Sequence, residues 1–313
     1  MDNSTNPEAL CLFCDEIPWI IFKITFGGII IVLHIITLAA LFRCRQLKMS
    51  LKYSFTNLSV TDLISGIMYV YYGIMQFFIH TSSLECKIRF WFVSMTSCVT
   101  LFTLSMLSLD RLLSLEFPLK YDTTITNKLL LMFTFISWMI AFVFVTPTVA
   151  MFREMTICNF VQVMTHDGYI TYTCGGFLLI TVILACHLRI FVLARRQISK
   201  ILPTMLHGNR ATAAIKLNMK TTVTTATVLV PFILLNIPIY VYFLCLSFES
   251  DVSSSDNALD IMDAVLFLQL LSSFLNPIIY AWRLPELRRH VRRMLSCGKS
   301  ETETTNYSSS TEA

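Results

Sequence analysis

Charge is what this sequence has least of. Asp, Glu, Lys and Arg make up 14% of its 313 residues, against about 25% in soluble domains, while 55% belong to the apolar set and the mean hydropathy is +0.65. So few charges cannot clothe a surface in water, which excludes an ordinary soluble fold. Long hydrophilic segments are missing as well: the stretches at 43–52, 80–88, 116–128, 153–168, 194–221 and 249–259 are too short for an independent soluble domain. No His or Cys cluster at metal-ligand spacing occurs, and no nucleophile–base pair within the apolar runs, so an enzyme is not expected. The net charge of +4 gathers in particular loops and suggests no nucleic-acid partner. At the N-terminus no basic start is joined to a short apolar core and a small-residue cleavage site, so no removable signal peptide is expected.

What is present is apolar sequence in lengths that suit a bilayer. Seven runs, at 19–42, 53–79, 89–115, 129–152, 169–193, 222–248 and 260–282, each meet the roughly 20 residues that a hydrocarbon core about 30 Å thick demands of a helix. The basic residues orient them. Arg43, Arg45, Lys48 and Lys52 follow run one, Arg111, Lys120 and Lys128 flank the loop after run three, Arg189 to Lys220 surround the loop after run five, and Arg283 to Lys299 follow run seven. Only Lys23, Lys87, Arg89 and Arg153 fall on the opposite side. Cytoplasmic loops carry the excess of Lys and Arg, so the N-terminus lies outside and the C-terminus inside. The expected fold is an all-α membrane protein, a seven-transmembrane helix bundle. After run seven, residues 284–295 place Leu287, Val291, Met294 and Leu295 near one face and Arg288, Arg289, Arg292 and Arg293 around the other, the pattern of a short amphipathic helix on the inner leaflet. The organisation read from this is an extracellular tail at 1–18, a seven-transmembrane domain at 19–283, a membrane-surface helix at 284–297 and a disordered Ser-, Thr- and Glu-rich tail at 298–313.

Polar residues inside the runs carry the functional signal, because a polar or charged group in the membrane is costly. Run two contains Leu58-Ser-Val-Thr-Asp62-Leu63; run three ends in Asp110-Arg111-Leu112, with Cys86 twenty-five residues before Arg111 and Pro118 seven after it. Run four holds Trp138, run six reads Phe232-Ile-Leu-Leu-Asn236-Ile-Pro238, and run seven carries Asn276-Pro277-Ile-Ile-Tyr280 just before the basic amphipathic segment. A lone Asp-Arg pair or a lone Trp signifies little, and a proline kink can be incidental. In this order and spacing they resemble the rhodopsin-like (class A) G-protein-coupled receptors over about residues 19–296, with LxxxD, DRY and NPxxY patterns in spans two, three and seven. The Cys158-Asn-Phe160 loop and Val93 resemble the branch that holds adenosine, melanocortin and lysolipid receptors.

The resemblance implies a receptor that binds an extracellular ligand, small and either neutral or amphiphilic, and activates a heterotrimeric G protein at the plasma membrane. It implies a switch built from Asp110, Arg111, Phe232, Asn236, Pro238, Asn276, Pro277 and Tyr280. It implies a polar core of Asp62, Thr100, Ser272 and Asn276 that takes a sodium ion as allosteric modulator, with no other cofactor. His34 stands in place of the family's span-one Asn, so a proton could replace the sodium; a neutral hydrogen-bonded core histidine is the plainer alternative. Ligand-pocket positions carry over to Tyr72, Val93, Ser94, Ser97, Phe160, Thr171, Ile239, Tyr240, Phe243, Leu266, Gln269 and Leu270. Cys86 is expected to pair with Cys158, with Cys174 as the rival, and Cys11, Cys14, Cys174 and Cys245 remain as spare outer cysteines. Asn3 heads a glycosylation sequon, Cys297 is a candidate for acylation, and the Ser/Thr tail is expected to meet a receptor kinase and arrestin. The chain departs from the family at Leu112, His187 and Asn236, which replaces the span-six Trp. Those departures keep a signalling-poor decoy or scaffold receptor in play, and a transporter behind it. Val93 in place of the Asp of amine receptors and Phe243 in place of the Asn of adenosine receptors turn the ligand away from both classes. Acidic residues at the outer end, among them Asp260 and Asp263, read either as a solvated rim or as an attraction for a cationic peptide.

Overall fold

The computed structural model describes residues 17–44, 47–76, 82–117, 121, 126–149, 163–201, 210–248 and 257–295. They form α1 (Ile17–Arg43), α2 (Met49–Met75), α3 (Ser83–Glu116), α4 (Asn127–Val145), α5 (His166–Ile201), α6 (Arg210–Leu246), α7 (Asn257–Arg283) and α8 (Pro285–Leu295). Seven of these are long and apolar enough to cross a bilayer, and an odd number of crossings puts the two ends of the chain on opposite faces.

Length and capping fix the helices locally. The Ser82 hydroxyl opens α3 by accepting from the Glu85 amide at 3.2 Å, and the Thr126 hydroxyl opens α4 by accepting from Leu129 at 3.4 Å. Several boundaries differ from the apolar runs. α3 begins at Ser83 because a capped polar turn precedes the apolar stretch, and α6 starts at Arg210 because the helix formers Ala211, Ala213, Ala214, Lys216 and Lys220 propagate it beyond the lipid. α4 stops at Val145, where Pro147 lies in a single 3-10 turn, Thr146–Thr148.

α3 runs through the middle and buries most of its length, while α1, α4 and α5 present Ile21, Val32, Leu131, Phe135, Val143, Leu178 and Leu188 outward. Such an apolar exterior suits lipid, where the demand is only that backbone groups be satisfied internally. α1 and α2 pack closely through glycines: a Cβ on Gly27 would lie 2.7 Å from Val70 Cγ2 and 3.0 Å from the Gly66 carbonyl. Small residues permit this approach, from which membrane helices gain dispersion contacts. α8 packs against α1 and α7, with Leu284 and Leu287 buried, Val291 and Met294 partly so, and Arg289, Arg292 and Arg293 exposed.

Candidate functional site

A cleft descends from the outer end of the bundle between α2, α3, α6 and α7. Its walls are Met68, Tyr69, Tyr72, Val93, Leu266, Leu270 and Phe232; Arg89 and Gln269 also line it, and at its deep end stand Thr100, Asn236, Ser272, Ser273 and Asp62. Its cavity volume is about 50 Å³. The cleft is therefore narrow. Arg89, one helical turn beyond Cys86, is 3% exposed; it pairs with Glu85, Nε to Oε1 at 3.4 Å, and its guanidinium lies 5.0 Å from the Tyr72 ring centroid.

Of the carried-over pocket positions, Tyr72, Val93, Ser97, Leu266, Gln269 and Leu270 line this cleft. The others are placed elsewhere. Tyr240 and Phe243 are buried in an aromatic cluster with Tyr169, Tyr172 and Phe177 that packs α5 against α6. The Ser94 carbonyl accepts from the Tyr172 hydroxyl at 3.3 Å, which ties the same cluster to α3, and Ile239 is core. Thr171 faces a separate outer groove with Met139, Val143 and Phe144. Phe160 lies outside the described residues.

At the deep end the Asp62 carboxylate gathers three partners. Ser273 Oγ donates to Oδ1 at 2.7 Å and Asn276 Nδ2 to Oδ2 at 2.8 Å, while His34 Nε2 stands 3.7 Å from Oδ2. Ser273, and not Ser272, makes the direct contact. The Ser272 hydroxyl donates to the Gln269 carbonyl at 2.6 Å and lies 3.3 Å from Asn236 Nδ2, and Thr100 donates to Thr61 at 3.0 Å. His34 Nε2 is 3.0 Å from the Ser273 carbonyl; a carbonyl only accepts, so Nε2 carries the proton. Nδ1 has no hydrogen-bond partner among the described residues.

At the inner end Arg111 is fully buried and ion-paired with Asp110. The Ser50 hydroxyl donates to the same carboxylate and receives Arg111 Nη2 at 3.0 Å. Tyr121, which lies between α3 and α4 in the sequence, donates to Asp110 Oδ1 at 2.5 Å. Its own burial, followed by the neighbouring Asp110 charge, pushes the Tyr121 hydroxyl pKa up, so it stays a donor at any physiological pH. Tyr280 is buried and stacked on Phe55 with centroids 4.5 Å apart. Its hydroxyl and Arg111 Nη1 both lack a hydrogen-bond partner among the described residues. Pro277 lies inside α7, and Pro231 and Pro238 inside α6. Trp138 does more than pack: Nε1 donates to Asn57 Oδ1 at 2.9 Å, and Asn57 Nδ2 donates to Thr103 at 2.7 Å, joining α4, α2 and α3.

Sequence reasoning passed over one constellation. Lys23 of α1 is fully buried and pairs with Asp263 of α7 at 2.5 Å. Tyr72 donates to the other oxygen of Asp263 at 3.0 Å, Gln76 accepts from Lys23 at 3.3 Å, and the ammonium lies over the Tyr72 and Trp19 rings. The signal was available: an isolated lysine within an apolar run needs a partner. Asp263 is thus committed to an internal cation and does not stand on an open acidic rim.

Cys86 is disulfide-bonded. Cys174 and Cys245 are free, so the rival Cys86–Cys174 pairing is not made, and neither cysteine joins Cys11 or Cys14. Cys158, Cys11, Cys14, Asn3 and Cys297 lie outside the described residues.

Seven crossings, an outer cleft, a polar core and a buried arginine above the inner face define a seven-helix membrane receptor. The family model for 7 transmembrane receptor (rhodopsin family) matches residues 34–280, and the chain belongs to that family, as a multi-pass G-protein-coupled receptor of the plasma membrane. It is 23% identical to the adenosine receptor A2b of Gallus gallus over 276 residues, 80% of each chain. It is 23% identical to the lysophosphatidic acid receptor 3 of Mus musculus over 278 residues, 86% of this chain and 76% of the relative. With the histamine H2 receptor of Cavia porcellus it shares 25% over 324 residues, 94% of this chain and 84% of the relative.

Proposed function

We propose that the protein is a receptor for a slender amphiphile with an acidic head, and that it passes the binding event to a heterotrimeric G protein. Arg89 carries this reading. Its guanidinium, a cation paired with Glu85 at 3.4 Å, borders a narrow cleft whose walls include Met68, Val93, Leu266 and Leu270, and a planar guanidinium suits a carboxylate or phosphate head. The geometry suits a chain better than a fused ring system. One relative is named for lysophosphatidic acid, an acidic lipid. Val93 and Phe243 argue against the amine and adenosine of the other two.

A ligand shifts such an equilibrium only by binding two conformations unequally. The deep end of the cleft touches α2, α6 and α7 together, and the prolines of α6 and α7 remove ladder hydrogen bonds, so both helices can repack there. At the inner end activation would free Arg111 from Asp110, Ser50 and Tyr121. The unpartnered Arg111 Nη1 and Tyr280 hydroxyl then gain partners as α6 swings out, opening a groove for the C-terminal helix of a G-protein α subunit. Asp62, with the hydroxyls of Thr100, Ser272 and Ser273 and the side chain of Asn276, offers an oxygen-rich setting that fits a sodium ion, which would favour the resting arrangement.

The remaining parts of the proposal concern the ends. Cys86 pairs with Cys158, Asn3 carries a glycan on the outer tail 1–18, and Cys297 is acylated beside the surface helix 284–297. The tail 298–313 presents Ser and Thr to a receptor kinase and then to arrestin. The domain itself is 19–283.

The test is G-protein activation in cells expressing the full chain, across acidic and neutral single-chain lipids. Arg89→Gln is expected to lower the potency of acidic lipids about ten- to a hundred-fold, since hydrogen bonds to charged groups contribute about 1.5–3 kcal/mol, with surface expression unchanged. Equal potency in the variant, or silence toward every acidic amphiphile, would overturn the reading. Ligand-driven arrestin recruitment without G-protein turnover would establish the decoy alternative suggested by Leu112, His187 and Asn236, and substrate flux would establish a transporter.

A further inference from the structure

The cleft has a second polar end that Arg89 does not serve. Asn236 is fully buried, and its amide nitrogen donates to the Phe232 carbonyl at 2.8 Å and reaches Ser272 Oγ at 3.3 Å. This fixes the orientation of the amide, because the flipped form would set Oδ1 against a carbonyl that can only accept. Oδ1 is left with no hydrogen-bond partner among the described residues, whereas the large majority of buried polar atoms in proteins have one. Asn236 lines the same cleft as Arg89, beside Asp62, Ser272 and Ser273. Its side chain is short, so the outer cleft runs on to the polar core without a floor between them. Arg89 and Thr100, at the two ends, both lie on α3, and the eleven residues that separate them span about 16 Å at 1.5 Å per residue.

We propose that Asn236 Oδ1 is a second ligand-binding group, which accepts a hydrogen bond from a hydroxyl at the far end of the bound chain. The ligand class is then two-headed: an acid at Arg89, an extended apolar chain along Val93 and Leu266, and a hydroxyl at the bottom. This rests on the amphiphile reading above and narrows it. The hydroxyl would meet α6 within one turn of Pro238, so the group that confers selectivity also touches the helix that must move.

The probes are dodecanoate and ω-hydroxydodecanoate, applied to the purified full-length receptor in lipid nanodiscs, with the rise in melting temperature read against concentration. The hydroxylated chain is expected to act at roughly ten-fold lower concentration, the factor that one well-made hydrogen bond of about 1.4 kcal/mol supplies. Asn236→Leu, close in size but without the acceptor, is expected to remove that preference while leaving the response to dodecanoate in place. Equal potency of the two probes on the parent receptor overturns the proposal without any variant and leaves the amphiphile reading standing. A preference that survives in Asn236→Leu overturns it too. Failure of both probes to shift the parent receptor sinks the amphiphile reading and this proposal with it. Should Asn236→Leu not fold, Asn236→Asp, which keeps an acceptor at that place, must retain the preference; its loss there counts against the proposal.

Discussion

Two of the buried ion pairs among the described residues, one near each face, are built from the same chemistry for opposite ends. At the outer face Lys23 and Asp263 are 240 residues apart and bridge α1 to α7, with Tyr72 and Gln76 of α2 and its flank completing the ring. At the inner face Asp110 and Arg111 are neighbours on α3, and what reaches across the bundle is a pair of hydroxyls, Ser50 and Tyr121. Breaking the outer pair strands a buried ammonium. Breaking the inner one parts Arg111 from Asp110 and from two neutral hydroxyls, and it separates no two helices joined by opposite charges. A salt bridge between distant helices acts as a clamp, and a salt bridge within one helix, tethered by neutral donors, acts as a latch.

The largest effect follows from treating the outer pair as a clamp. Asp263→Asn should lower stability by about 3–5 kcal/mol, because removing one member of a buried pair leaves the other charge uncompensated. Thermal unfolding in nanodiscs should show it as a lower melting temperature, together with reduced surface expression. Adding Lys23→Met to the same chain should recover most of the loss, since an apolar replacement removes the stranded charge. A single variant as stable as its parent would show that the pair is not structural, and the contrast between clamp and latch would collapse.

The inner pair gives a smaller effect of a different kind. Tyr121→Phe deletes a donor to a carboxylate, a contribution of about 1.5–3 kcal/mol, yet Asp110 keeps Arg111 and Ser50. The chain should therefore fold, and the weakened resting arrangement should appear as ligand-free G-protein activation raised roughly ten-fold, the factor that corresponds to about 1.4 kcal/mol. If basal signalling stays at the parent level while stability drops, the tyrosine holds structure and does not latch a switch.

This contrast also marks what the sequence could reveal. Asp62, Arg111, Asn276 and Tyr280 were legible because polar groups in a membrane are expensive and their spacing along single helices is rigid. Their partners were less so. Adjacent helical residues point about 100° apart at 3.6 residues per turn, so Ser272 and Ser273 cannot be told apart without the packing that turns one to Asn236 and the other to Asp62. Lys23 could be read as a charge needing a partner, but which of the outer acids it takes depends on how α1 meets α7. The carried-over pocket divided for a similar reason: Tyr240 and Phe243 are large enough to fill the space between α5 and α6, so they became core and left the lining to Tyr72, Val93, Leu266 and Gln269.

Between clamp and latch lies Asp62, and there the smallest effect is expected. His34 donates from Nε2 to the Ser273 carbonyl, and its ring takes up space beside the carboxylate at 3.7 Å. We expect the histidine to act on the polar core by occupying room next to Asp62. His34→Asn shortens the side chain, gives up the contact of Nε2 with the Ser273 carbonyl and opens that room to a small cation. Sodium should then suppress ligand-free signalling more strongly in the variant, by a few-fold, with stability close to that of the parent. Signalling whose dependence on sodium matched the parent at every concentration would mean that His34 has no part in setting the polar core.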